Sequence, residues 1–363
     1  MSKIKASNSR VQVVIDRKAL KHNLSKIRER CPESRLMAVI KADAYGHGME
    51  LVAQVLNDAD EFAVSDQDEL WRLRANGVDK PVTLLSAHFN LGELEQMLDQ
   101  NVRPTIYDVS QIEILEQLSA NASLSVWLKV DTGMGRLGLL ENQLTDALLR
   151  LGKIAAIKDI SLMTHLANAD NIEHPANAKQ FALFNALKAN YPYRELSVLN
   201  SAGLISFSDQ AQSIVRSGIM LYGISPIAGT QASSLGLHPA MTFKSHLISV
   251  KQLAAGSAVG YESSYVLDHD SRIGIVACGY GDGYPRHAPS GTPVLVNDKL
   301  VPLVGRVSMD MLAVDLGDLT TKIGDQVTLW GEGNPIEAVA AAAATIPYTL
   351  CTGILPRVQR VII

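Results

Sequence analysis

Met37-Ala-Val-Ile-Lys-Ala-Asp-Ala-Tyr-Gly-His-Gly48 sets the reading of the whole chain. Residues 36–40 are a continuous apolar run, the pattern of a strand buried on both faces, and the run delivers one lysine, Lys41, at its C-terminal end. Tyr45, Gly46, His47 and Gly48 follow as a tight loop opening into a helix. Partial desolvation of an amine at such a place disfavours its ammonium form and lowers its pKa, which suits Schiff-base chemistry. A strand-end lysine more commonly just extends its charged head into solvent. The rest of the chain has to decide between the two.

Outward from this stretch a rhythm sets in. Residues 11–15 form a short β-branched strand, with Asp16 placed to cap a helix over 17–30. Strand candidates then fall at 36–40, 61–65, 81–86, 103–107, 124–130, 160–165, 196–200 and 214–222. Helical segments lie between them at 49–57, 67–75, 91–99, 109–118, 143–151 and 176–189, with a short one after Asn200. Eight strands alternating with helices predict an α/β fold, a parallel sheet closed into a (β/α)8 TIM-type barrel. Sites in such barrels lie at the C-terminal ends of the strands. That rule gathers Lys41, Lys129, Asp131, His165, Asn200, Ser201 and Arg216 round one mouth.

Past residue 235 the texture changes to short β runs at 241–253, 273–278, 293–296, 299–304, 311–315 and 325–330, with one clear alanine-rich helix at 336–345. Ser, Gly and Pro accumulate at 226–235, so the expected division is a barrel domain over 1–235 and a mostly-β domain over 236–363. The bulk numbers agree with an ordinary enzyme: 363 residues, 47% hydrophobic and 19% charged. A formal net charge of −4 gives no footing for nucleic acid or an anionic membrane surface. Cys31, Cys278 and Cys351 are odd in number and far apart, neither a disulfide framework nor a metal cluster, so no metal is expected. Residues 1–10 are polar and basic with no apolar stretch behind them, which predicts a cytoplasmic protein.

Lys129-Val-Asp-Thr-Gly-Met-Gly-Arg136 turns sharply through two glycines and can aim Arg136 back into the mouth, where a guanidinium suits an anionic oxygen. Asn200-Ser-Ala-Gly203 and Ser217-Gly-Ile219 lie near the ends of the seventh and eighth strands, where barrels build phosphate sites, with Ser201, Gly218 and Ile219 as donors. Arg216 sits inside an apolar strand, a costly place for a charge unless it is paired, so it either faces an acceptor in the mouth or forms a structural ion pair. His165 can support it. In the β domain, 259–265, 279–286 and 305–311 read as loops. Gly279-Tyr-Gly-Asp-Gly283 lacks the strand–turn–helix context of a nucleotide loop.

Together these segments, spread from Ala38 to Arg357 in the right order, resemble the alanine racemase family of pyridoxal-phosphate enzymes. The resemblance implies a barrel followed by a β domain, a homodimer with shared active sites, an alanine substrate and pyridoxal 5'-phosphate held covalently by Lys41. It implies two bases on opposite faces of the reacting carbon, Lys41 for the D-enantiomer and Tyr261 of the partner subunit for the L-enantiomer. A free tyrosine is a poor base at neutral pH, so nearby cations must favour its phenolate. By the same resemblance Arg216 faces the pyridine nitrogen with His165 behind it, while Tyr45, Ser201, Gly218, Ile219 and Tyr348 hold the phosphate. Arg136 would approach the cofactor's phenolic oxygen and the substrate carboxylate. Met309 of the partner subunit would bind that carboxylate through its backbone, and Lys129 would be able to carry a carbamate that orients Arg136. The product would be D-alanine for peptidoglycan, or the reaction would serve D-alanine breakdown.

One departure stands out. Glu262 follows Tyr261 where glycine is frequent in the family, and glutamate resists the positive φ that glycine permits. Rival readings are a racemase for serine or lysine on the same scaffold, a decarboxylase of the same architecture, and a non-catalytic carrier of the cofactor that resembles the barrel alone.

Overall fold

The computed structural model describes residues 10–363, so most of the segment behind the expectation of no export signal lies outside the described residues. β1 (Gln12–Ile15) leads into the helix Arg17–Arg30, which Asp16 caps by accepting the N–H groups of Lys18 and Ala19 at 2.7 and 3.2 Å. From Lys21 to Leu221 the chain forms one unit, joined by Pro226–Ala228. Its strands are β2 (Arg35–Val39), β3 (Glu61–Val64), β4 (Val82–Leu84), β5 (Val102–Ile106), β6 (Leu124–Lys129), β7 (Ile157–Met163), β8 (Leu196–Ser197) and β9 (Ile214–Ser217). They are parallel, in the order β8-β7-β6-β5-β4-β3-β2-β9. β3, β4 and β5 are buried at every residue, Glu61 and Arg103 included, with helices covering one face and the barrel interior the other. The end strands approach through Arg216 N–H donating to Leu199 C=O at 3.0 Å and Ser197 Oγ donating to Ile214 C=O at 2.8 Å, which brings the sheet nearly to closure.

The last two strands are shorter than the sequence predicts, for a local reason. Asn200 Oδ1 accepts Gly203 N–H at 2.9 Å and starts the helix Ser201–Ser206, ending β8 early. Gly218 N–H donates to Ser201 Oγ at 3.0 Å instead of to a neighbouring strand, so β9 stops at Ser217 and a 3-10 turn, Ile219–Tyr222, follows.

Met37, Val39, Ala63, Trp127, Met163 and Ile214 fill the middle of the barrel. Toward the N-terminal ends of the strands the filling is ionic. Arg103 bridges Glu61 (3.0 Å) and Glu195 (2.6 Å), donates to Ser161 Oγ (2.7 Å), and lies 4.5 Å above the Trp127 ring. Burial pushes the Glu61 carboxyl up, and Arg103 opposes the shift. Such a plug stands only because every partner is present; removing one would strand a buried charge.

The second unit contains the β-rich remainder: β10 (Met241–Leu253), β11 (Ala258–Val259), β12 (Tyr265–Val266), β13 (Ser271–Val276), β14 (Pro293–Val296), β15 (Lys299–Val304), β16 (Leu312–Asp315), β17 (Gln326–Trp330) and β18 (Gln359–Ile362). Its main sheet runs β13-β16-β15-β14-β17-β10-β1-β18, and β13 also pairs with β10, so those from β13 to β10 close on themselves. Residues 10–20 group with this unit by contacts, although sequence order places them with 1–235. β1 pairs with β10 antiparallel and with β18 parallel, and both partners lie more than two hundred residues away, so no local signal announces the pairing. β18 and the helix Pro347–Thr352 have no counterpart in the sequence reading.

Candidate active site

Beyond β2 the chain does not pass straight into a right-handed helix. Ala42, Asp43, Ala44 and Tyr45 have φ of 53, 54, 54 and 53°, a complete left-handed turn built without glycine. L-residues pay about 1–2 kcal/mol each for this conformation, so it persists only where the surroundings over-determine it. The turn carries its own bonds, Ala44 N–H to Ile40 C=O (2.8 Å), Gly46 N–H to Ala42 C=O (3.0 Å) and Gly48 N–H to Asp43 C=O (2.9 Å). A clamp comes from the helix Gln67–Ala75. Glu69 Oε1 accepts Ala42 N–H at 2.6 Å, and Arg72 Nη2 donates to Asp43 Oδ1 at 2.9 Å. The tight loop expected at Tyr45–Gly48 therefore begins earlier, at Ala42.

Lys41 starts this turn, half-buried. Burial lowers its pKa, the nearby Arg136 lowers it further, and Glu69 opposes both. Lys129, at the end of β6, is 9% exposed and is brought down to about 8 by burial, then by Arg216, Arg136 and Lys41. His165 follows β7; burial, then Arg216 and Lys129, hold its imidazole well below the ordinary value, so the ring is neutral at working pH. Arg216, 4% exposed in β9, is lowered to about 10 by burial and remains a cation. It donates to Ser197 Oγ at 2.6 Å and to the carbonyls of Thr164 and Val198, with His165 Nδ1 at 3.5 Å.

Asp131 organises the next turn, accepting the N–H groups of Gly133 (2.8 Å), Met134 (2.8 Å) and Arg136 (3.1 Å). Burial pushes its carboxyl up, but these backbone donors together hold it below the ordinary value. Its charge remains and partly opposes the lowering at Lys129. Among the described residues none of Lys41, Lys129, Arg136 and Arg216 has an ion-pair partner, and Glu69 and Asp131 only partly offset their charge, so the mouth carries a net positive field.

A cradle lies beside it. Ser201 Oγ is within 3.2 Å of Ser217 Oγ and accepts from Gly218 N–H, while the Ile219 N–H has no acceptor among the described residues. A side chain at Gly218 would lie 2.5 Å from Tyr45 Oη, so only glycine lets that hydroxyl close on the backbone. Lys41, Tyr45, Lys129, Arg136, His165, Ser201, Arg216, Gly218 and Ile219 all belong to the barrel unit.

Tyr261, Met309 and Tyr348 belong to the β-rich unit. Tyr261 is 68% exposed in a 3-10 turn, Tyr261–Ser263, preceded by Gly260 at φ 80°. Glu262 adopts φ 61° and Ser263 49°, so the glutamate takes up the conformation a glycine would favour, and its carboxylate receives Arg306 Nη1 at 2.7 Å. Residues absent from the sequence reading are Glu69 and Arg72. Asp66-Gln-Asp-Glu69 looks like an ordinary helix start, and only tertiary structure shows Glu69 reaching back to Ser65 N–H (2.7 Å) and across to Ala42.

A near-closed parallel barrel with a desolvated lysine and cations without ion-pair partners at its C-terminal mouth has the makings of an enzyme site suited to an anionic ligand beside an amine. The comparisons with known proteins narrow this class. The family model described as alanine racemase, N-terminal domain, matches residues 15–226, and that described as alanine racemase, C-terminal domain, matches 240–362. The alanine racemase of Aeromonas hydrophila subsp. hydrophila is 44% identical over 346 residues, 95% of this chain and 97% of that one. That of Vibrio cholerae is 42% identical over 347 residues, covering 95% and 96%. The crystal structure of biosynthetic alanine racemase from Pseudomonas aeruginosa superposes with TM-score 0.95 at 38% identity over 98% of this chain and 99% of that one. An alanine racemase from Bartonella henselae with covalently bound pyridoxal phosphate superposes with TM-score 0.87 at 30% identity, covering 98% and 100%. The chain belongs to the alanine racemase family and is an amino-acid racemase, an isomerase.

Proposed function

We propose that this chain interconverts L-alanine and D-alanine with pyridoxal phosphate held on Lys41, using Lys41 and Tyr261 of the partner subunit as the two bases of a shared site in a homodimer. The observation that carries the reading is the desolvated Lys41 among cations that have no ion-pair partner among the described residues. Those residues fit the cofactor: a phosphate supplies negative charge, and the Ser201, Gly218 and Ile219 cradle with Tyr45 over it fits the phosphate oxygens; by the family resemblance Tyr348 would be a further donor. Its covalent attachment in the Bartonella henselae relative supports the same assignment.

When bound, pyridoxal phosphate links to the substrate's amino group and makes the α-proton acidic. Arg216 is a buried cation that can only donate, so it would leave an accepting ring nitrogen unprotonated. His165, neutral, stands behind it. Arg136 would meet the phenolic oxygen and the substrate carboxylate, and Met309 of the partner subunit would bind that carboxylate by its N–H. Lys41 Nζ moves the proton on the face of the D-enantiomer, and Tyr261 Oη of the partner subunit on the face of the L-enantiomer. Supply of D-alanine to peptidoglycan in the cytoplasm is the role that follows, with D-alanine breakdown as the reverse use.

Lys129 would carry a carbamate in the working protein. The neutral amine is the form that takes up carbon dioxide, and at about 8 Lys129 is half neutral where an ordinary lysine is almost wholly protonated. Uptake by the intact protein in bicarbonate is therefore expected to rise with pH through about 8. Mass spectrometry at about pH 6 and about pH 9 reads this directly. Equal uptake at both would remove Lys129 as the site.

The substrate assignment is tested by kcat/KM for L-alanine, L-serine and L-lysine, with and without added cofactor. A preference for alanine that requires the cofactor is expected. A preference for serine or lysine, or release of carbon dioxide, would overturn it.

A further inference from the structure

The Gly279-Tyr-Gly-Asp-Gly283 loop, which no nucleotide explains, interlocks with the loop that bears Met309. Tyr280 N–H donates to Ser308 C=O at 3.0 Å and Gly281 N–H to Met309 C=O at 2.8 Å. The approach is too close for side chains: a Cβ on Gly279 would lie 2.2 Å from Ser308 O and 2.4 Å from Met309 O, and one on Gly281 3.0 Å from Met309 O. Because a trans peptide points its C=O and N–H in opposite directions, fastening Ser308 C=O to Tyr280 turns Met309 N–H away from the loop. That N–H has no acceptor among the described residues, and Met309 is 53% exposed.

The 279–283 loop is itself fastened at Asp282. This carboxylate is 1% exposed; Oδ2 accepts Gly279 N–H at 3.0 Å, and Oδ1 receives Arg10 Nη2 at 2.6 Å and Arg357 Nε at 2.8 Å. The two arginines also hold the far side of the Met309 loop. Arg357 Nη2 donates to Asp310 Oδ1 at 2.7 Å, and Arg10 Nη1 to Asp310 C=O at 2.7 Å. A buried carboxylate between two guanidinium groups is costly to desolvate and stands only where its geometry is used or its partners fully compensate it.

We infer that Asp282, bridged by Arg10 and Arg357, is a positioning residue that presents the Met309 N–H to the substrate carboxylate. This rests on the proposed role of Met309. The clamp acts on binding of the carboxylate and not on the proton transfers, which belong to Lys41 and Tyr261.

The test compares Asp282→Asn, Arg357→Ala and Arg357→Lys with Met309→Pro, which deletes the N–H itself, each as the dimeric, cofactor-loaded protein. Asp282→Asn and Arg357→Ala are expected to raise KM for both L- and D-alanine about tenfold with kcat held within about threefold, and Met309→Pro to do the same. Arg357→Lys, a single point donor, should fall between wild type and Arg357→Ala. If Asp282→Asn does not fold, the half-exposed Arg357 variants give the same reading. A raised KM in Met309→Pro, with KM unchanged and only Tm lowered in the clamp variants, would overturn the inference and leave the site assignment standing. An unchanged KM in Met309→Pro would overturn the role of Met309, and the inference with it.

Discussion

Replacement of Lys41 by alanine is expected to abolish racemisation in both directions, by at least about ten-thousandfold, because one amine serves both as the covalent anchor of the cofactor and as a base. The structure sets a second expectation that runs the other way. Lys41 is desolvated and stands near Arg136, and both effects disfavour its charge in the folded state. Removing the amine therefore relieves repulsion, and in the cofactor-free protein Tm should stay level or rise while activity disappears, the trade between stability and function expected of a strained site. The left-handed turn it introduces is anchored by backbone groups and by Glu69 and Arg72, none of which the substitution touches. An activity assay with added cofactor and thermal unfolding of the cofactor-free proteins read the two. Retention of more than about one per cent of activity, without rescue by added amines, would show that another group holds the cofactor.

Tyr261→Phe has the second largest expected effect and a more specific signature. It deletes one oxygen from a side chain that is 68% exposed, so stability should change by no more than about 0.5 kcal/mol. Net conversion should fall about 100- to 10,000-fold in both directions, since either direction requires proton transfer on both faces. Lys41 remains, however, and serves the D-face. In deuterated solvent the variant should still exchange the α-proton of D-alanine while that of L-alanine is retained. Exchange of both enantiomers at similar rates, or of neither, would contradict the division of faces between the two residues.

Most of the barrel was legible because short, mostly apolar strands alternate with helical segments; β3, β4 and β5 fall at those strand candidates, although β3 begins at Glu61 and β5 contains Arg103. A charge inside such a strand did not by itself mark the mouth: Arg216 lies there, whereas Arg103 belongs to the ionic plug toward the N-terminal ends. What escaped the sequence depends on contacts between distant segments. Ala42-Asp-Ala-Tyr45 contains no residue type that favours positive φ except a single aspartate, and its handedness is imposed by Glu69 and Arg72 from a helix more than twenty residues on. β1 reads correctly as a strand, yet its sheet is fixed by β10 and β18. At Glu262 a residue-by-residue rule pointed to conflict with a positive φ, and the chain adopts that φ with Arg306 as partner to the carboxylate. Asp282 looked like one more turn residue; only the fold brings Arg10 and Arg357 to it from opposite ends of the chain.

Mixing the two inactive variants tests the shared, two-base site most directly. Lys41→Ala supplies an intact Tyr261 and Tyr261→Phe an intact Lys41, so a heterodimer contains one site with both bases and one with neither. Random pairing in a symmetric dimer puts half the chains in heterodimers, and activity should recover to about a quarter of wild type from two samples that are each inactive. Recovery of that size is the result this account predicts. No recovery in a preparation shown to contain heterodimers, or full activity in a monomeric wild-type protein, would contradict it.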